Sequence, residues 1–173
     1  LAQSVAAHIA KSSFGKVYIL CQDYASGRSA ATTFRKRFEQ LKRAEQAIVG
    51  EEYHPPFRVN DFAPYITKIM ASGADALMTA NFGPDLRLLI QQGHQLGWKV
   101  KIVGFYLNDP TLTSAVGDAA LGHVTTGVNM VTLKTPLNVQ TIAAWRAKYP
   151  NVSLDHRLPD LQVGQAIVGN QWL

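Results

Sequence analysis

One continuous stretch of the sequence, residues 61–104, most strongly limits the folds that this chain can adopt. It reads as helix, strand, helix, strand, with turn-forming residues between the elements. Asp61 is a suitable N-cap for the first helix, and residues 74–80 are nearly all apolar, as in a strand covered on both faces. Pro84 fits the first turn of the second helix, and residues 100–104 form the next strand. Two βα units in succession predict a parallel sheet with helices on its faces.

The two helices of this stretch carry apolar residues at the spacing of a buried stripe. The first stripe comprises Phe62, Tyr65, Ile66, Ile69 and Met70, and the second comprises Leu86, Leu89, Ile90 and Leu96.

The rest of the chain continues the alternation of strands and helices. The predicted strands are 16–21, 47–50 and 122–131, and the predicted helices are 1–12, about 28–43, 111–117, 136–149 and one opening at Pro159. These elements predict an α/β fold, a three-layer α/β/α arrangement around a mostly parallel five-stranded sheet, with residues 1–173 as a single lobe. Because the chain opens inside a helical pattern and ends without a helix cap, we expect it to be a fragment of a longer protein.

Composition and motifs argue against several functional classes. The chain is 47% hydrophobic and 17% charged with a net charge of +5, which suits a globular domain without a nucleic-acid arm. Phosphate-binding glycine loops, the GxSxG elbow and metal-binding histidine spacings are absent, so we expect neither an enzyme nor a metal or other cofactor. Each of the five histidines is predicted to lie on the surface or a helix face. Cys21 is predicted to be a small buried hydrophobe.

Polar and aromatic residues follow the predicted strands. In parallel sheets, ligands lie beyond the carboxyl ends of the strands, and small-molecule clefts combine aromatic walls with a few polar groups. The candidate ligand-binding residues are Tyr24, Asn81, Phe82, Tyr106 and Asn108, with Asn129 as a weaker candidate.

Three segments resemble the type I periplasmic binding proteins, and among them the leucine/isoleucine/valine-binding branch that serves ABC transporters. They are residues 16–27 (KVYILCQDYASG), residues 60–104, and residues 116–128 (VGDAALGHVTTGV). Members of this family close two similar α/β lobes around a solute, and the closed form is recognised by a membrane permease. The resemblance therefore implies the second lobe of an extracytoplasmic solute-binding protein. It would be periplasmic, or lipid-anchored in a Gram-positive organism. Its partners would be the first lobe, a small solute and the permease, with no nucleic acid.

The same resemblance implies roles for three aromatic residues. Tyr24 and Phe82 match aromatic ligand contacts, whereas Tyr106 stands where amino-acid binders typically carry a glutamate for the ammonium group. A phenol cannot neutralise an ammonium group, although its ring can offer a cation–π contact. The implied solute is therefore a branched-chain amino acid or similar small molecule, with an aromatic carboxylate as the alternative.

A ligand-binding sensory domain of a receptor, or of an amide-type regulator, is a further alternative. The same fold serves both roles, so the fold alone does not decide between them.

Overall fold

The computed structural model describes residues 1–127 and 133–151, and a five-stranded parallel sheet forms its framework. The strands are β1 (Lys16–Gln22), β2 (Ala47–His54), β3 (Ala76–Thr79), β4 (Lys101–Gly104) and β5 (Val124–Thr125). Their order across the sheet is β2-β1-β3-β4-β5, and every neighbouring pair is parallel. The helices are α1 (Ala2–Lys11), α2 (Ala25–Leu41), α3 (Ala63–Ala71), α4 (Gly83–Gln95), α5 (Pro110–Val116) and α6 (Pro136–Lys148), with a 3₁₀ turn at Gly117–Ala120.

The alternating side chains of β1 divide the core into two layers. Val17, Ile19 and Cys21 pack with α1 and α2 on one face of the sheet, whereas Tyr18 and Leu20 pack with α3, α4 and α5 on the other. This alternation is the two-residue period of a strand that is buried on both faces. The predicted α/β/α layering is therefore confirmed.

Burial also makes the thiol of the single cysteine, Cys21, unreactive. Cys21 is fully buried, and this burial raises the pKa of its thiol to about 12. A thiol with so high a pKa is a poor nucleophile at neutral pH, so the predicted role as a small buried hydrophobe is confirmed.

Several predicted element boundaries are wrong. Strand β2 runs on to His54 instead of stopping at Gly50, because it pairs with β1 along its whole length before the prolines begin. Helix α2 begins at Ala25, three residues before the predicted start. Phe62 occupies the N-cap position of α3 and makes no side-chain cap hydrogen bond, whereas the Asp61 carboxylate accepts from the first-turn amide of Ala63 at 2.9 Å, as predicted.

Two residues of the predicted buried stripes lie on the surface instead. Met70 is 44% exposed although its neighbour Ile69 is fully buried, and Leu96 is 47% exposed at the C-cap position, where α4 has ended.

The C-terminal predictions are tested only in part. Of the predicted strand 122–131, residues 124–125 are β5 and residues 128–131 lie outside the described residues. Helix α6 begins as predicted, and the Thr135 hydroxyl accepts from the Asn138 amide at its N-terminus. The helix predicted after Pro159 also lies outside the described residues. Among the helices that the structure describes, none has the length and hydropathy needed to span a membrane.

Gly27, in the first turn of α2, sets how closely that helix approaches β1. A Cβ atom at Gly27 would lie 2.1 Å from the Gln22 carbonyl oxygen, and a backbone atom cannot rotate away. We therefore expect Gly27→Ala to lower the free energy of unfolding by about 2 kcal/mol, within the range of overpacked sites. Urea unfolding of the full-length protein measures this change. Gly15→Ala is the matched control, since its Cβ would meet its nearest neighbour at 3.7 Å; an equal loss there would contradict the prediction.

His123 should make the stability of the fold depend on pH. Its Nδ1 accepts a hydrogen bond from the Ile102 amide at 3.2 Å. Burial, with a smaller effect of Lys101, lowers the pKa of the ring to about 4. Because the folded pKa lies below the unfolded value of about 6.5, this contribution is fully present above pH 6.5. It is lost as the pH falls towards 4.

We expect this loss to be about 1 to 2 kcal/mol for a partly exposed ring. Urea unfolding between pH 7 and pH 4 measures it. His123→Asn keeps an acceptor for the Ile102 amide without a titrating ring, so its stability should fall less over the same range. Parallel pH profiles of the two proteins would contradict the assignment.

Candidate functional site

Three of the predicted ligand-binding residues meet at the carboxyl edge of the sheet. Tyr24 follows β1 and is the N-cap of α2, and Phe82 follows β3 and is the N-cap of α4. Tyr106 follows β4. All three side chains are half-buried, so each packs on the domain with one part and presents another part to solvent. Since β1, β3 and β4 are adjacent in the sheet, their ends bring these residues together.

Phe82 is the hub of a cluster of aromatic rings. Its ring centroid lies 5.5 Å from that of Tyr106, 6.4 Å from that of Tyr24 and 5.2 Å from that of Phe57. These separations and the tilted or perpendicular ring planes are those of favourable aromatic pairs. We call Tyr24, Phe57, Phe82 and Tyr106 the ring cluster.

Phe57 is the member of the ring cluster that sequence reasoning missed. It follows β2 after the two prolines, is 54% exposed and has a φ of 58°. In the described part of the chain it is the one non-glycine residue with positive φ, a conformation that costs an ordinary L-residue about 1 kcal/mol or more. Because phenylalanine has no preference for this conformation, the sequence contains no local signal for it.

A network of buried polar side chains lies beneath the ring cluster. The Asp85 Oδ2 atom accepts hydrogen bonds from Gln22 Nε2 at 2.7 Å and from the Phe57 amide at 2.9 Å, and lies 3.9 Å from His54 Nδ1. His54 Nε2 lies 2.8 Å from Asn81 Nδ2. We call Gln22, His54, Asn81 and Asp85 the polar network; all four are buried.

The polar network corrects the expectation that every histidine lies on the surface or a helix face. His54 is the last residue of β2 and its side chain is fully buried, with its ring packed edge-on against Phe62 at 4.9 Å. With Asn81 Nδ2 as donor, Nε2 is the acceptor, and the protonated Nδ1 donates to the Pro55 carbonyl oxygen at 3.2 Å. The ring thereby links the ends of β2 and β3.

The remaining candidate residues lie at different depths. Asn81 is 1% exposed, so its side chain belongs to the layer beneath the rings. Asn108 is half-buried and stands just before α5. Asn129 lies outside the described residues. A solute contact at Asn81 or Asn108 stays a prediction.

Carboxylates that follow the strands are already engaged within the protein. Asp23 pairs with Arg28 at 2.5 Å, and this hydrogen bond lowers the pKa of the Asp23 carboxyl. Asp109 accepts from the backbone amides of Thr111 and Leu112 at the start of α5, and Asp85 belongs to the polar network. These three carboxylates are therefore committed to internal partners.

The Tyr106 phenol at this edge stays protonated at neutral pH. Burial, and then the nearby Tyr24, raise the pKa of Tyr106 above its ordinary value. The Tyr106 hydroxyl is thus a neutral group that can donate or accept a hydrogen bond. The described residues contain no group of three or more histidine, cysteine, aspartate or glutamate side chains placed to hold a metal ion. The ring cluster, with its neutral phenol, therefore forms a surface suited to contact with a neutral or flat apolar group.

Comparisons with known proteins agree with this architecture. The chain is 28% identical over 109 residues to the Leu/Ile/Val-binding protein homolog 4 of Brucella abortus, a match that covers 63% of this chain and 26% of that protein. Its fold matches the leucine-, isoleucine-, valine-, threonine- and alanine-binding protein of Brucella ovis in the closed conformation. That match has a TM-score of 0.81 and 21% identity, and covers 98% of this chain and 41% of that chain.

A second solved structure is a solute-binding protein of an ABC transporter from Rhodopseudomonas palustris BisB5, in complex with 3,4-dihydroxybenzoic acid. Its TM-score is 0.72 at 27% identity, over 86% of this chain and 41% of that chain. This chain thus spans about a quarter of its curated relative and less than half of each solved protein. The sequence model of the periplasmic binding proteins matches residues 1–157. With the parallel sheet and its order already established, this match shows that the chain belongs to the periplasmic binding protein family.

Proposed function

We propose that this chain is the second lobe of an extracytoplasmic solute-binding protein, which delivers a branched-chain amino acid or similar small solute to an ABC permease. The observation that carries the proposal is the ring cluster at the carboxyl edge of the parallel sheet, where α/β proteins of this kind bind ligands. Family membership supports the general role. The protein would work in the periplasm, or attached to the outer face of the membrane.

Closure of two lobes is the mechanism that suits this surface. The ring cluster is partly solvent-exposed, so one face of a solute could pack on it while the first lobe covers the other face. Closure would exclude water from the solute and strengthen its polar contacts. A lobe that supplies half of the contacts should bind its solute weakly by itself. The permease would then distinguish the closed form from the open one.

Aromatic carboxylates are a second candidate class of solute. Tyr106 occupies the position where the family resemblance places a glutamate in amino-acid binders, and the neighbouring carboxylates are engaged internally. Four rings without a free negative charge favour a flat solute that carries no ammonium group. The benzoic-acid derivative bound to the Rhodopseudomonas palustris protein supports this choice.

A thermal-shift screen of the full-length protein tests the proposal. One panel contains aliphatic amino acids, and the other contains aromatic carboxylates. A solute at a hundred times its dissociation constant should stabilise the folded state by about 2.7 kcal/mol. A saturable shift with a member of either panel supports solute binding. No shift with any solute, despite a cooperative unfolding transition, would contradict the proposal and favour a sensory role.

A further inference from the structure

We propose that Phe57 determines the solute specificity of this lobe, and that the buried Asp85 carboxylate positions it. The proposal rests on the solute-binding role proposed above and selects the second of its two candidate solute classes: a flat aromatic carboxylate, in preference to a branched aliphatic amino acid. Three features of Phe57 together support this assignment. Phe57 is largely exposed, has a left-handed backbone, and is hydrogen-bonded to a carboxylate that is nearly inaccessible to solvent.

The backbone of Phe57 is held by its hydrogen bond to the buried Asp85 carboxylate. Asp85 lies in the first turn of α4, where the helix dipole favours a negative charge. Its Oδ2 atom accepts from both the Phe57 amide and Gln22 Nε2, so the loop after β2 is tied to the ends of β1 and β3. A strained conformation persists only where its surroundings determine it. Here the surroundings are the polar network.

The result of this support is a ring that extends the wall of the site. The Phe57 and Phe82 ring planes meet at 81°, and the Phe82 and Tyr106 planes meet at 56°. Phe57 thus adds an edge-on ring contact to those that Phe82 makes with Tyr24 and Tyr106. An exposed phenylalanine would gain more free energy by packing into the core, and this one is fixed instead at the edge of the ring cluster, with its surface open to a solute.

The chemistry of the wall selects among solutes. A flat aromatic solute can meet several of these rings edge-to-face or in offset stacks. A branched amino acid would bring an ammonium group to this surface, where the carboxylates that follow the strands, Asp23, Asp85 and Asp109, are each bound to groups of the protein itself. Loss of its hydration would be compensated by ring faces and neutral phenol hydroxyls, which stabilise an ammonium group less than a carboxylate does. The wall therefore favours the aromatic carboxylate.

Calorimetric titration of the full-length protein with 4-hydroxybenzoate and with L-leucine tests this assignment. Wild type should bind 4-hydroxybenzoate more tightly than leucine. Phe57→Leu keeps an apolar side chain but removes the ring, and should weaken binding of 4-hydroxybenzoate about tenfold while changing leucine binding less than about twofold. Phe57→Tyr keeps the ring and should stay within about threefold of wild type. Leu96→Ala, an exposed apolar residue at the opposite end of α4, is the matched control and should leave both affinities unchanged.

Two further variants test the role of Asp85 as a positioning residue. Asp85→Leu removes the acceptor for the Phe57 amide and should reduce the preference for 4-hydroxybenzoate over leucine, whereas Asp85→Asn retains an acceptor oxygen and should restore part of it. If Asp85→Leu does not fold, the comparison of Asp85→Asn with wild type tests Asp85, and Phe57→Gly tests the ring, because glycine adopts positive φ without strain. Phe57→Gly should keep a cooperative unfolding transition, since this relief offsets the larger entropy of glycine in the unfolded chain, and yet lose affinity for 4-hydroxybenzoate about tenfold.

Three results would overturn the proposal. They are an unchanged affinity of Phe57→Leu for 4-hydroxybenzoate, an equal loss for both probes, and tighter binding of leucine by wild type. If the wild-type protein binds neither probe, the assigned solute class is also overturned. The proposed function would still be judged separately, because it depends on a thermal shift with any solute of the two panels.

Discussion

Replacing Phe82 with alanine should weaken solute binding by the full-length protein about a hundredfold while the lobe stays folded. Phe82 is the one ring that contacts each of the other three members of the ring cluster. If the proposed function is correct, removal of the Phe82 ring takes away a solute contact and also the support that holds the other rings in place. Buried aromatic anchors at binding sites commonly contribute about 3 kcal/mol, which corresponds to about a hundredfold in the dissociation constant. Calorimetric titration with the solute identified by thermal shift measures this loss.

Controls separate loss of the site from loss of the fold. Phe82→Tyr preserves the ring and should bind within a few-fold of wild type. Because the Phe82 ring is half-buried and lies outside the two core layers, the alanine variant should keep a cooperative unfolding transition. Retained binding by folded Phe82→Ala would remove the ring cluster from the site. It would then direct attention to other residues at the same edge.

The sequence was sufficient to predict the sheet and its layers because those features depend on short-range patterns. Alternating buried residues in β1 and the apolar segment of β3 indicate strands covered on both faces, and Pro84 marks a helix start. Each pattern is read within a few neighbouring residues. The carboxyl edge, with Tyr24, Phe82 and Tyr106, follows from the same patterns, since parallel strands bring their ends to one edge.

Other features depend on contacts between distant parts of the chain. Residues 51–54 look like a loop because two prolines follow, yet pairing with β1 extends β2 through them. Phe57 acquires its positive φ from a hydrogen bond to Asp85, which lies 28 residues further along the chain. His54 is buried because Asn81 and Asp85 provide polar neighbours there. None of these three outcomes has a local sequence signal, and all three belong to the part of the domain that supports the site.

Exchanging Tyr106 for glutamate should shift the preference of the full-length protein from aromatic carboxylates towards amino acids. Tyr106 follows β4, and its ring contacts that of Phe82 in the ring cluster. The change removes one ring contact and places a carboxylate where an ammonium group of a solute could meet it. A charge-assisted hydrogen bond in a closed cleft contributes about 1.5 to 3 kcal/mol. We therefore expect leucine to bind about tenfold more tightly and 4-hydroxybenzoate about tenfold more weakly.

The comparison with Tyr106→Gln isolates the effect of charge. Glutamine has nearly the same shape as glutamate, so it should weaken binding of 4-hydroxybenzoate to a similar degree without improving that of leucine. The gain for glutamate should also diminish in titrations at low pH, where the new carboxyl group becomes protonated. If the two variants bind leucine equally, charge at this position does not govern solute selection. The discrimination must then come from the ring surface itself, with Phe57 as its exposed edge.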